Sequence, residues 1–447
     1  MPVRRILSVW WPLAASWLLM SAEGPLLSAV IGRLADPEIH LAAYGSVVFP
    51  LALLIEAPII MLLAASTALS KDWASYQRVR QYMMAAGAIL TGLHILVAFT
   101  PLFYVVVRQI MHAPEGVIEP ARLGLKIMLP WTWSIAYRRF NQGVLIRFGR
   151  SRAVGLGTVV RLSADILVVT AGYLLKTIPG TAVATSALAA GVLCEAVFAG
   201  LVVRPVLHGE LKQAPLVEPS LSWGSFWKFY IPLAMTSLLS LLANPLGSAA
   251  LGRMPEPLAS LAAWPVVTGL IFMVRSLGIA FNEVVVTLLD EPHSYPTLLR
   301  FTQWLAVLST LALLVIAATP LSSLWFQKVT NLSPHLVELS LTAMWIALPL
   351  PLISVLQSWY QGAILYSRHT RGITESVVIF LAVSMIILVA GVLSSQSAGL
   401  YTGMLAFTAC SAAQAAWLWH RGKGVLKEVK QRDTFTLTKT AAVETAD

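Results

Sequence analysis

The chain has 447 residues, of which 57% are hydrophobic and only 12% are charged, and its mean hydropathy is +0.75. A soluble protein of this size cannot hide so much apolar surface behind a charged exterior, so the composition excludes an ordinary cytosolic domain and indicates a polytopic membrane protein. The net charge of +10 is spread over loops of one parity, which is a topology signal and excludes nucleic acid as the natural partner.

A hydrocarbon core about 30 Å thick takes roughly 20 apolar residues per helix. Twelve such stretches occur in chain order, at 7–31, 41–69, 82–107, 123–146, 153–175, 181–203, 226–250, 258–289, 300–323, 335–365, 373–394 and 398–419. The first begins after Arg4 and Arg5 and imitates a secretory signal, but its apolar run continues past Ala22 and it has an internal counterpart at 226–250, so cleavage is not expected.

A charge at bilayer depth costs at least about 2.5–3.5 kcal/mol and therefore faces protein or water. The first stretch carries Glu23 two residues before Pro25, and the second carries Glu56 before Pro58. A proline frees a carbonyl one turn back, which can join such an acid in binding a cation or proton. The fourth stretch holds Arg138, Arg139 and Gln142 in YRRFNQG. Guanidinium forks suit carboxylate or phosphate, and the alternative is snorkelling to the cytoplasmic interface. Arg161 and Asp165 in the fifth are four apart and expected to neutralise each other. Glu195 in the sixth lacks a local partner and reads as a second protonation site. Asn244 in the seventh adjoins Pro245. Arg275 lies deep in the eighth, with Asn282 seven residues on, and Gln361 sits in the tenth.

Basic residues follow the even-numbered stretches: Lys71, Arg78 and Arg80; Arg147, Arg150 and Arg152; Arg204 and Lys212; Arg368 and Arg371; Arg421, Lys423, Lys427 and Lys430. The positive-inside rule then puts both termini in the cytoplasm. Cys194 and Cys410 offer no disulfide framework, the eight histidines have no metal-ligand spacing, and no phosphate-binding G-x-x-x-x-G-K-[ST] loop is present. No cofactor or metal is expected. Trp131, Trp133 and Trp345 read as core or lipid-facing residues.

The stretch EGPLLSAVIGR at 23–33 returns as ANPLGSAALGR at 243–253. Pro12 matches Pro232, Pro37 matches Pro257 and Thr67 matches Thr287 at an offset of 220. After the loss of one residue, Leu129-Pro130 matches Leu348-Pro349, Gln142-Gly143 matches Gln361-Gly362 and Arg152 matches Arg371 at 219. The chain thus reads as a duplication: an N-terminal six-helix lobe (1–204), a Pro-rich cytoplasmic linker (205–224), a C-terminal six-helix lobe (225–420) and a solvated or disordered cytoplasmic tail (421–447). Six is even, so the two halves are parallel repeats around a central cleft. The charges break the symmetry: Glu23, Glu56, Arg138, Arg139 and Arg275 match Ala243, Ser276, Gln357, Ser358 and Ile55.

The Trp-Pro or Ile-Pro-Leu-Ala helix start, the PL-x-SA-x-x-GR run, the LAAY or LAAW that follows, and NQGVLIRFGRSR with its copy YQGAILYSRHTR resemble the multidrug/oligosaccharide-lipid/polysaccharide exporter superfamily, which includes the multidrug and toxic compound extrusion (MATE) proteins. Within it, the VWWPLA opening, Pro25–Arg33 and Pro245–Arg253, and Ala263-Trp264-Pro265-Val266 are more similar to the progressive ankylosis (ANK-type) transporters. The resemblance implies a MATE-like all-α fold. It also implies export: of cationic drugs against protons or sodium in MATE proteins, and of anions such as citrate, nucleotide or pyrophosphate in ANK-type proteins. The position of the usual MATE helix-1 Asp is Leu27 here, with Glu23 one turn earlier.

The sequence therefore predicts a secondary transporter and not an enzyme. It exports a small organic solute by rocking-bundle alternating access, as a monomer in the plasma (cytoplasmic or inner) membrane, driven by a proton or sodium gradient. Its partners are the solute and the lipid bilayer. Glu23, Glu56 and Glu195 are the candidates for ion coupling. Arg138, Arg139, Arg275, Gln142, Gln361, Asn244 and Asn282 are the candidates for the cavity. The alternatives are a multidrug organic-cation antiporter, a flippase of lipid-linked precursors and a non-transporting membrane scaffold.

Overall fold

Apolar runs bounded by proline, glycine and short polar loops fold here into a succession of helices, with no strand among the described residues. The computed structural model describes residues 1–218, 220–367 and 371–444. Arg368 and residues 445–447 lie outside them.

The helices are α1 (Val3–Ser21), α2 (Glu23–Ile31), α3 (Pro37–Leu41), α4 (Phe49–Ile60), α5 (Leu62–Leu69), α6 (Trp73–Phe99), α7 (Leu102–Tyr104), α8 (Glu115–Ile127), α9 (Leu129–Arg147), α10 (Ser151–Leu175) and α11 (Gly180–Val202). Two short helices, α12 (Arg204–His208) and α13 (Glu210–Gln213), lead to α14 (Trp223–Leu251). Then come α15 (Pro257–Ile279), α16 (Phe281–Leu288), α17 (Ser294–Ala318), α18 (Leu321–Leu324), α19 (Pro334–Ile346), α20 (Leu350–Tyr366), α21 (Arg371–Ser394) and α22 (Gly399–Glu444). Short π-helical segments follow α3, α7 and α18.

Among the described residues, nine helical segments are long and apolar enough to cross a membrane, or ten if the bent pair α19–α20 counts as one. The expected stretches at 123–146 and 398–419 are the ones that do not pass. The reason is chemical: α9 carries Arg138, Arg139, Asn141 and Gln142, and the first half of α22 is interrupted by Tyr401, Thr402, Thr408, Ser411 and Gln414. The peripheral helices α10 and α21 expose Leu156, Leu167, Leu174, Ile386 and Leu393, the apolar exterior that accounts for the composition.

Two compact units form. The N-unit comprises Ala29–Arg253 and Pro257–Ala262; the C-unit comprises Met1–Ser28, Met254–Glu256 and Ala263–Asp447. This partition by packing assigns α1 to the C-unit and α14 to the N-unit. In the C-unit, Trp10 of α1 donates to the carbonyl of Leu277 at 3.1 Å, and Arg5 pairs with Glu291 at 3.3 Å. In the N-unit, Tyr230 of α14 donates to the carbonyl of Pro58 at 2.6 Å and stacks on Phe226.

Left-handed backbone recurs at the sequence offsets. Asp36 (φ 49°) and Glu256 (φ 55°) are 220 apart, and His112 (φ 53°) and Asn331 (φ 51°), like Lys176 (φ 56°) and Ser395 (φ 45°), are 219 apart. Non-glycine residues rarely adopt this region, so the same turn solution stands at equivalent places. Close packing recurs too. A Cβ on Gly143 would lie 2.6 Å from the carbonyl oxygen of Leu63, and one on Gly362 would lie 2.7 Å from Cβ of Val285. These glycines let α9 meet α5 and α20 meet α16 backbone to backbone, the small-residue packing that holds helices together in lipid.

One expectation about the connections changes, and a detail is added to another. Residues 421–434 are helical and docked, not a free tail. Leu426 and Val429 are buried in the C-unit core with Phe281, Leu288 and Leu298, Asp433 accepts the Tyr295 N–H at 2.9 Å, and Arg432 donates to the carbonyls of Leu289 and Glu291. The linker is pinned as well. Asp72 caps α6 through the Ser75 N–H at 2.8 Å while its second oxygen takes the Val217 N–H at 2.8 Å, and Arg78 bonds the Leu221 carbonyl. Burial pushes the Asp72 carboxyl up, but the Ser75 hydroxyl and these N–H donors outweigh it and hold the group below its ordinary value.

Candidate functional site

The polar side chains of α9 are gathered inside the N-unit. Arg138 and Gln142 are four residues apart on one helical face, and both reach Glu195 of α11. Arg138 Nη1 lies 2.5 Å from Glu195 Oε2, and Gln142 Nε2 donates to Oε1 at 2.8 Å. The ion pair is buried, with side chains 8% and 1% exposed. One turn of α9 thus satisfies both oxygens of a carboxylate on the neighbouring helix.

Glu56 of α4 is buried and accepts a hydrogen bond from Trp131 Nε1 at 2.5 Å. Trp131 precedes Arg138 by two turns on the same side of α9. The charges of Arg138, Arg139 and Arg161 all act on Glu56. Arg161 and Asp165 of α10 face each other at 3.8 Å, as their spacing predicts. Helix α10 can approach α11 because Gly191 has no side chain: a Cβ there would run into the Asp165 carboxylate, and one on Gly157 would meet Glu195 Cγ at 3.4 Å. The cluster therefore joins three carboxylates, Glu56, Asp165 and Glu195, to three guanidiniums, Arg138, Arg139 and Arg161, and is formally neutral.

The C-unit carries an uncharged counterpart. Offset 219 relates Arg138 to Gln357 and Glu195 to Gln414, and these two also touch: Gln357 Nε2 donates to Gln414 Oε1 at 3.0 Å and to the Ser411 carbonyl at 2.9 Å. Positions 219 residues apart thus form an ion pair in one unit and a pair of amides in the other. Arg275 lies in the C-unit, where its Nε donates to Ser354 Oγ at 2.6 Å and its guanidinium carbon is 5.0 Å from the Phe407 ring centroid.

The other candidates have these surroundings. Glu23 opens α2 in the C-unit and is half-buried. Asn244 is exposed on α14, Asn282 donates to the Ser358 carbonyl at 3.4 Å, and Gln361 is half-buried. Arg139, a member of the cluster, is half-buried beside Arg138. Glu195 has no partner on its own helix, as expected, but finds one on α9, and the alternative of a snorkelling Arg138 falls because that acid lies inside the unit. Trp131 is buried as expected but has a polar task that composition could not reveal. Gln414 was also missed, although the offset that pairs Gln142 with Gln361 pairs it with Glu195.

No protein-family model matches the chain, and no curated protein matches its sequence. Solved structures match the fold over nearly the whole chain. An inward-facing multidrug resistance MATE family transporter of the MOP superfamily aligns with a TM-score of 0.66 and 14% identity, covering 94% of this chain and 98% of that one. The fold is MATE-like. A mutant of the Vibrio cholerae MATE transporter VcmN aligns at 0.63 with 17% identity, covering 95% and 97%. The lipid II flippase MurJ in an inward closed conformation aligns at 0.61 with 13% identity, covering 95% and 92%. At these identities the likeness is one of fold.

Proposed function

We propose that the protein is a secondary transporter that exports a small organic solute by alternating access, with the N-unit charge cluster as its ion-coupling centre. One observation carries this reading: the buried Arg138–Glu195 pair is matched by the neutral Gln357–Gln414 pair at the equivalent contact. The architecture holds together there without charge, so the costly ionic version is kept for something other than packing. A proton or sodium ion is the coupling species, and protonation of Glu195 or Glu56 would loosen the cluster. The chain crosses the membrane twelve times as two parallel six-helix repeats with both termini cytoplasmic, and acts as a monomer in the cytoplasmic membrane. The solute is an organic anion, the class suggested by the resemblance to ANK-type transporters.

The test is solute counterflow and gradient-driven transport in proteoliposomes. The double variant Arg138→Gln with Glu195→Gln reproduces the C-unit amides, so it should fold and still exchange solute while losing its response to an imposed pH or sodium gradient. Unchanged gradient coupling in a folded double variant would remove the cluster from the mechanism. A second reading, an organic-cation antiporter, is favoured by the buried acid Glu56 and by the likeness to multidrug transporters. It predicts efflux of cationic dyes that Glu56→Gln abolishes. The likeness to a lipid II flippase keeps a lipid-precursor substrate as the third reading.

A further inference from the structure

The three guanidiniums of the N-unit cluster are balanced by three acids, as low-dielectric surroundings require. Arg275 in the C-unit is not. No carboxylate stands within ion-pair distance of it among the described residues. Its surroundings do fix its pose. Ser354, on α20, takes the Nε edge, and the Phe407 ring, on α22, packs against the guanidinium. A guanidinium has five N–H donors, and the four on Nη1 and Nη2 make no hydrogen bond among the described residues. Neither Nη atom is sealed from contact, unlike Nε of Arg138, Arg139 and Arg161 in the N-unit.

A guanidinium oriented on one edge and one face presents its remaining edge as a fork, the geometry that binds two oxygens of a carboxylate or a phosphate in parallel. We infer that Arg275, held by Ser354 and Phe407, is a docking point for the anionic group of a ligand, a carboxylate or a phosphate. The role as a substrate site rests on the transporter reading; the existence of the site does not. The anion supplies the counter-charge that the fold omits, and a ligand that binds the folded state stabilises it by mass action.

The experiment uses the full-length protein in a neutral detergent. Thermal unfolding and tryptophan fluorescence are followed against citrate and inorganic phosphate at constant ionic strength, with chloride as control. A second arm places the protein in phosphatidylcholine nanodiscs with and without phosphatidylglycerol. The wild type should show a saturable rise in Tm that is absent in Arg275→Gln. Arg275→Lys keeps the charge without the fork and should bind about tenfold more weakly, the loss of one charge-assisted hydrogen bond. A response to citrate or phosphate identifies a free anion; a response to phosphatidylglycerol alone, equally dependent on Arg275, identifies a lipid headgroup at the same site. No saturable response in the wild type, an equal response in Arg275→Gln, or full affinity in Arg275→Lys would overturn the inference. Binding is read without any gradient, so absent anion binding with intact solute exchange sinks this site alone, while intact binding without exchange sinks the transporter reading alone.

Discussion

Both oxygens of Glu195 are held by one turn of α9, and that decides what each substitution does. Glu195→Gln leaves Arg138 buried without its counter-charge, and removing one member of such a pair costs about 3–5 kcal/mol. Arg138→Gln strands the acid in the same way. The double variant should recover most of that loss, because Gln357 and Gln414 already form the neutral version of this contact. Thermal unfolding of the three variants in one detergent checks the non-additivity. Two destabilised single variants that simply add in the double would mean that the residues do not act as a pair. Trp131→Phe should cost about 1–3 kcal/mol, since it keeps the ring and leaves the Glu56 carboxylate without its donor. Every charge in this cluster was visible in the sequence, and so was its absence from the second half. The partnerships were not, because Arg138 and Glu195 are 57 residues apart and only packing of α9 on α11 brings them together.

Among the elements, the start of α6 does more than begin a helix. Asp72 closes the capping box with Ser75 and also holds Val217 of the linker. Its folded-state pKa lies below the unfolded one. The stabilisation it gives is therefore complete above the unfolded carboxylate value of about 4, and is lost as pH falls through the lower folded value. Hydrogen exchange at the Val217 amide, corrected for intrinsic rate, should be slow at neutral pH. It should speed up under acid conditions, and it should be fast at all pH values in Asp72→Ala. Exchange that stays slow in that variant would show the linker to be held by other contacts. The glycines of the Gln-Gly repeats make a companion case. Gly143→Ala should destabilise strongly, because its Cβ would meet the Leu63 carbonyl and the Thr67 nitrogen. Gly24→Ala, with open space around it, should be neutral within about 0.5 kcal/mol or mildly stabilising. The sequence showed that Gln-Gly was copied and pointed to the glutamines. The backbone contacts show that the glycine is the member with no room to change.

At the scale of the whole molecule, hydropathy passes over α9 and α22 because both carry polar side chains, and the proposed twelve crossings include them. Contacts within each unit support the larger number. In the N-unit, Asp72 after α5 holds Val217, and Arg150 after α9 pairs with Glu210 at 2.6 Å. Val217 and Glu210 belong to one short linker, so the ends of α5, α9 and α11 share one face of that unit. Helix α6 leaves that face over 27 residues, and the proposed topology returns the chain through α8 and α9. In the C-unit, Glu291 after α16 meets Arg5 near the N-terminus, its carbonyl meets Arg432 beyond the apolar part of α22, and neighbouring Asp290 accepts from Tyr366 at the end of α20. Both chain ends and two even-numbered loops therefore meet on one face there. A cysteine scan with a membrane-impermeant maleimide tests the consequence. Cysteines placed at Ser151, Lys212, Ser367 and Thr434 should be labelled only in vesicles that expose the cytoplasmic face, and those placed at Asp36, Lys176 and Glu256 only in the opposite orientation. Labelling of positions 151 and 36 from the same side would show that the chain between them, with its three expected spans, does not cross an odd number of times. It would remove α9 from the spans, and with it the depth at which Arg138 and Glu195 must pair.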